Sequence, residues 1–285
     1  MRRAGPFPSA RPGARRAEGR QVTDRYVREA GAGAGVVCVH CNASSSSQWR
    51  GLMDRLAPRF HVLAGDSHGA GRGPAWPSDR TLCLQDEVGL LQPLRARAGE
   101  PQALVGHSYG GAVALLASLQ QPPRALVLYE PTLFVLLDEA APPPNEAEGI
   151  RQTVADAAAH LACGDRSAAA ARFIDFWMGD GSWDRTPAAR RTPIEEAIVH
   201  VQGWGTALFT QPTPLSDFGV LDLPVLLIVG RDSPASSRGV ARLLASVLPR
   251  MQLLELEGLG HMGPITHPEV ANAAIEDFLL RELWP

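Results

Sequence analysis

The sequence predicts an α/β protein: a mostly parallel sheet with helices on both faces, interrupted by a helical insert. Two observations lead there. Short apolar runs rich in valine and leucine alternate with longer segments of helical period over most of the 285 residues. That rhythm breaks after Pro131, where helical patterns and prolines take over, and resumes at Val225. A third observation marks one end of the sheet. Gly106-His107-Ser108-Tyr109-Gly110-Gly111 lies between an apolar run and a good helix former.

In chain order, residues 1–20 hold six arginines and one acid, and read as a disordered extension without the apolar stretch of a secretory signal. The α/β core is expected over 21–130 and 216–285, and the insert over 131–215. A first strand is expected near Gln21–Val27 and a buried one at Val36–His40. A helix follows from Gln48 to Leu56, with Trp49, Leu52, Met53 and Leu56 on one face. Phe60–Ala64 is a strand, Leu82–Arg97 a helix, Gln102–Val105 the strand before the glycine-rich turn. Ala125–Tyr129 closes the first half. After the insert come a strand at Val225–Val229, a helix near 237–248, a strand at Gln252–Leu256 and an amphipathic helix from Pro268 to Leu283.

Composition removes several classes of function. With 45% hydrophobic residues, a sizeable core is within reach. The net charge of −3 argues against nucleic acid as a partner. All 27 basic residues are arginine, which excludes Schiff-base chemistry, a Walker lysine and a Ser-Lys dyad. Four scattered cysteines suit free thiols in a reducing compartment, so a cytoplasmic location is expected. Cys38-Val39-His40-Cys41 has no second cysteine pair to complete a metal site. The glycine-rich stretches 31–35 and 69–73 lack dinucleotide-binding order and spacing. No metal, no cofactor and no membrane span are expected, and the chain is read as a monomer or homodimer.

Gly-x-Ser-x-Gly between a strand and a helix is the pattern of a nucleophile elbow, with Ser108 exposed at the end of the sheet. A serine hydroxyl needs a base, and the base an orienting acid. Of eight histidines, His261 stands on a glycine-rich loop after the last strand. His40, His61 and His107 lie in or beside buried strands and suit structural roles. Asp232 follows a strand and falls between serine and histidine in sequence, so it is the expected acid. Glu130, at the carboxyl end of the Ala125–Tyr129 strand, is the alternative. The oxyanion needs two backbone donors. Tyr109 supplies one, and Asn42, or else Cys41, the other.

These residues carry a resemblance to the α/β-hydrolase fold superfamily, from about residue 21 onward, and within it to the capped esterase, lactonase and C–C hydrolase branch. Ser108…Asp232…His261 follows the superfamily's order. His40-Cys41-Asn42 is similar to its oxyanion loop, with Cys41 where glycine is usual. Asp66-Ser67-His68-Gly69-Ala70-Gly71-Arg72-Gly73 resembles its Asp-x-x-Gly-x-Gly-x-Ser loop, with Gly73 in place of serine. The segment from Gly260-His261-Met262 to Phe278-Leu279 is similar to its ending. The serine in the elbow sets the chain apart from relatives with an aspartate there.

The resemblance implies a serine hydrolase with an acyl-enzyme intermediate, acting on a small, mainly apolar ester, thioester or lactone. The insert is then a cap whose Phe134, Phe173, Phe176, Trp177, Met178, Trp183, Trp204 and Phe209, with Met262 from the histidine loop, supply pocket candidates. One alternative is a C–C bond hydrolase of an aromatic ring-fission product, with Arg172 or Arg185 binding the substrate's carboxylate. Another is a non-catalytic ligand receptor on the same fold.

Overall fold

The computed structural model describes residues 26–283. The expected N-terminal extension, 1–20, and residues 21–25 of the first expected strand lie outside the described residues. The first strand described, β1, is Val27–Ala30 and shares only Val27 with the expected one.

Six further strands follow: β2 (Ala34–Val39), β3 (Phe60–Gly65), β4 (Gln102–His107), β5 (Ala125–Tyr129), β6 (Val225–Gly230) and β7 (Met251–Leu256). They form one sheet in the order β1-β3-β2-β4-β5-β6-β7. Only β1 runs antiparallel, paired with β3. The other pairings are parallel. β4, β5 and β6 are buried along their whole length and β2 nearly so. That is why their sequences read as continuous apolar runs and not as alternating ones.

Successive side chains in a strand point to opposite faces, and each face carries its own core. Helices α1 (Arg50–Leu56) and α12 (Pro268–Glu282) pack with Val36, Cys38, Val62 and Val105 on one face. Helices α2 (Leu84–Ala98), α3 (Tyr109–Gln120) and α10 (Ala235–Val247) pack with Val37, Val39, Leu104 and Leu227 on the other. A short 3-10 turn, Ser46–Trp49, precedes α1, so the expected helix from Gln48 splits in two.

Between β5 and β6 lie α4 (Val135–Ala140), α5 (Glu148–Ala162), α6 (Arg166–Met178), α7 (Ser182–Arg185), α8 (Ala188–Ala197) and α9 (Val201–Phe209). A 3-10 segment, Leu215–Val220, leads back to the sheet. The inner residues of this insert share a core with α3 and α10. Trp76, from the loop after β3, stacks on His200 at 4.6 Å and ties that loop to the insert. No helix among the described residues is long and apolar enough to cross a membrane.

Candidate active site

The site begins with a strained backbone. Ser108 follows β4 and has φ 58° and ψ −120°, a conformation that L-residues rarely adopt. Two glycines make the turn passable. A Cβ on Gly106 would stand 2.5 Å from the Gly110 carbonyl oxygen, and one on Gly110 would stand 2.3 Å from that of Val39. α3 starts at once, so the Tyr109 N–H sits at a helix N-terminus and has no acceptor among the described residues.

His261 lies on the loop between β7 and α11 (Gly263–Thr266), and is 1% exposed. Its Nε2 is 2.8 Å from the Ser108 hydroxyl oxygen. Its Nδ1 is 2.7 Å from Oε2 of Glu130. The Ser237 hydroxyl is also 3.2 Å from Nδ1. Glu130 is fully buried, and its other oxygen is saturated by two donors. Oε1 accepts from the Gly230 N–H at 2.7 Å and from the Ser233 hydroxyl at 2.5 Å. Donors on both oxygens offset the cost of burying a carboxylate.

Asp232 is the expectation that the geometry corrects. It is exposed in the turn after β6, its N–H bonded to the Leu259 carbonyl at 3.0 Å. Among the described residues no hydrogen bond joins its carboxylate to His261. The reason lies in the backbone after β5. Glu130 has φ 45°, a left-handed turn that departs from the strand. From there its carboxylate meets His261 and the start of the β6–α10 connection.

The loop of His261 is held from below. Tyr129 donates its hydroxyl to the Gly260 carbonyl at 2.9 Å. His107 Nε2 lies 2.8 Å from the His261 carbonyl. Burial pushes the His107 imidazole well below its ordinary pKa, so it stays neutral beside His261. His40 is likewise held below the ordinary value by burial. Its Nε2 accepts the Ser67 N–H at 3.0 Å, and its Nδ1 lies 2.7 Å from the Cys41 carbonyl. Asp66 braces the same region, accepting the N–H groups of Ser46 and Arg72 at 2.6 and 2.9 Å.

Of the two expected donors on the loop after β2, only one is open. The Cys41 N–H is given to Oε1 of Gln48 at 3.1 Å. The Asn42 N–H has no acceptor among the described residues. The Cys41 thiol is buried and pushed up to about 12 by desolvation, so it stays protonated.

The insert reaches the site through Trp177 on α6. Its ring stacks on His261 with centroids 4.0 Å apart and planes 27° apart. Phe173 packs on Trp177, and Trp204 on Phe173, at 6.1 and 5.9 Å. The remaining pocket candidates are placed differently. Phe134 pairs with Phe209 at 5.3 Å. Trp183 carries the Arg191 guanidinium over its ring. Met262 is half-buried against the core, and Met178 is 38% exposed. Phe176 contacts Trp177 but also lines an open groove on the insert with His160, Arg172 and Asp180. Arg172 is paired with Asp156 at 2.8 Å. Arg185 bonds the Ser182 hydroxyl at 2.9 Å and the Asp180 carbonyl at 3.3 Å.

Sequence reasoning missed Gln48, Ser233 and Ser237. The serines stand at the start of α10, where hydroxyls often cap helices, so their positions carried no mark of a site role. Gln48 had no signal beyond being polar before a buried tryptophan.

A strained serine at the carboxyl end of a parallel sheet, facing a loop histidine under a helical insert, defines the hydrolases of α/β fold. The model of the alpha/beta hydrolase fold family matches residues 36–268, and the chain belongs to that family. It is 28% identical over 250 residues to a putative carbamate hydrolase, RutD, of Variovorax paradoxus, covering 85% of this chain and 90% of that one. It is 26% identical over 240 residues to the pimeloyl-[acyl-carrier protein] methyl ester esterase of Yersinia pestis, covering 82% and 88%. Among solved structures it is similar to an alpha/beta hydrolase from Sphaerobacter thermophilus, with TM-score 0.67, 25% identity and coverage of 88% and 95%. The expected fold class, family and hydrolase character are thus met.

Proposed function

We propose that the protein is a serine hydrolase in which Ser108, His261 and Glu130 act as nucleophile, base and orienting acid. The substrate is a small, mainly apolar ester, thioester or lactone. One observation carries this reading. His261 bridges Ser108 and Glu130 at 2.8 and 2.7 Å, in the geometry that base catalysis needs.

In this mechanism Glu130 holds the proton of His261 on Nδ1, leaving Nε2 to accept from Ser108. The hydroxyl oxygen attacks the carbonyl carbon, and the N–H groups of Tyr109 and Asn42 stabilise the oxyanion. His261 returns its proton to the leaving group, and the acyl-serine forms. Water, deprotonated by His261, then releases the acid and restores the serine. The apolar face of Trp177 and the Phe173–Trp204 chain beyond it support a preference for apolar groups. The esterase among the relatives supports an ester bond.

A fluorophosphonate tests the proposal. Stoichiometric labelling at Ser108 is expected, with turnover of nitrophenyl esters lost by about 10³-fold or more in Ser108→Ala. Ester turnover retained in Ser108→Ala would overturn it. Labelling without repeated turnover of any ester would favour a ligand receptor.

A further inference from the structure

We propose that Gln48 is a positioning residue of the Ser108 site, fixing at once the oxyanion loop, the tautomer of His107 and, through His107, the His261 loop. This rests on the serine-hydrolase reading above.

The argument is one of proton accounting. A backbone N–H can only donate, so the Gln48 atom 3.1 Å from the Cys41 nitrogen is the carbonyl oxygen. The other end of the carboxamide is then Nε2, which can only donate, and it lies 2.9 Å from Nδ1 of His107. An accepting Nδ1 bears no proton, so the neutral ring carries its proton on Nε2. That nitrogen is 2.8 Å from the His261 carbonyl oxygen, which can only accept. Both ends of the chain are backbone groups. One arrangement of protons satisfies every member, and reversing any link breaks the rest.

Gln48 is itself fixed. Its 3-10 turn is anchored by Trp49, 1% exposed, and by the Ser46 N–H on Asp66. The three segments it joins carry the Asn42 donor, the nucleophile and the base. The residue type is specific. Glutamate has no donor for Nδ1, and asparagine is one methylene shorter.

Neutrality at His107 also matters. The groups facing it are His261 at 5.2 Å, the edge of Tyr129 at 5.4 Å, and His40. A charged His107 would oppose the imidazolium that His261 becomes during acyl transfer. With Gln48 as donor and the His261 carbonyl as acceptor, neither neighbour offers a lone pair to a second ring proton.

The test uses the full chain. Gln48→Met keeps length and removes both bonds. It is expected to lower kcat on a nitrophenyl ester by about 10- to 100-fold, with KM changed less than about threefold, because alignment and not binding is lost. Nitrogen NMR of histidine-labelled protein provides a readout that packing alone does not move. Wild-type His107 is expected as the neutral Nε2–H ring throughout pH 6–8, and Gln48→Glu as the doubly protonated ring. Folded Gln48→Met with kcat within twofold of wild type would overturn the proposal. So would a wild-type His107 protonated on Nδ1. If Gln48→Met does not fold, the wild-type and Gln48→Glu spectra decide. Failure of fluorophosphonate labelling in the wild type would remove the hydrolase reading alone, and the tautomers would still decide what Gln48 fixes.

Discussion

At the scale of the residue, three non-glycine residues among those described have positive φ, Ala43, Ser108 and Glu130, and the last two are the ones that build the site. Both belong to the same hydrogen-bonded chain through His261. The serine was legible because its environment is local: a strand, two glycines and a helix lie within about a dozen residues. His261 was legible from its loop. The acid was not. β5 and β6 are adjacent in the sheet, Tyr129 beside Ile228, so Glu130 and Asp232 leave it at neighbouring points. Which carboxylate turns inward is decided by one φ angle and by three donors from distant segments. No periodicity encodes that. The cysteines are a separate test at this scale. Cys38 and Cys41 are buried and desolvation raises both, while Cys83 and Cys163 are exposed. Iodoacetamide at about pH 8 is expected to modify Cys83 and Cys163 in the folded chain and the other pair only after unfolding. Rapid modification of Cys41 in native protein would contradict this.

At the scale of the element, the strands and helices of the core after β1 were readable from period and apolar runs, with boundaries shifted by a residue or two, while β1 lies C-terminal to the expected strand. The 3-10 turn carrying Gln48 was not, because four residues are too few to show a period. The insert was readable as a region, but its inner face was not. Every aromatic there suits both core and pocket, and only packing decides that Trp177 meets His261 while Trp183 lies under Arg191. α6 therefore sets the space above the base. Trp177→Phe removes part of that roof. It is expected to raise kcat/KM for bulky acyl esters relative to acetyl esters by about tenfold. An unchanged ratio would place the acyl group elsewhere.

At the scale of the whole molecule, His40 and His107 enter the core neutral, each held below the ordinary value of 6.5 by burial. The unfolded chain therefore binds more protons than the folded one once pH falls through about 6.5, and stability falls with pH from there. The thermal midpoint is expected to be level between about pH 7 and 8 and to drop progressively below 6.5. A midpoint independent of pH down to about 5 would contradict it.

The site is also a property of the whole, since its members are far apart in sequence and meet only when the sheet forms. The most direct measurement is kcat/KM of Glu130→Gln beside Asp232→Asn on one nitrophenyl ester. In Glu130→Gln the carboxamide oxygen keeps the Gly230 and Ser233 donors, and its NH₂ turns to Nδ1 of His261. The imidazole proton is forced onto Nε2, where it cannot accept from Ser108. A loss of about 10³- to 10⁴-fold is predicted for Glu130→Gln, with Asp232→Asn within about twofold of wild type. The reverse ranking, with Asp232→Asn inactive and Glu130→Gln near wild type, would contradict the account.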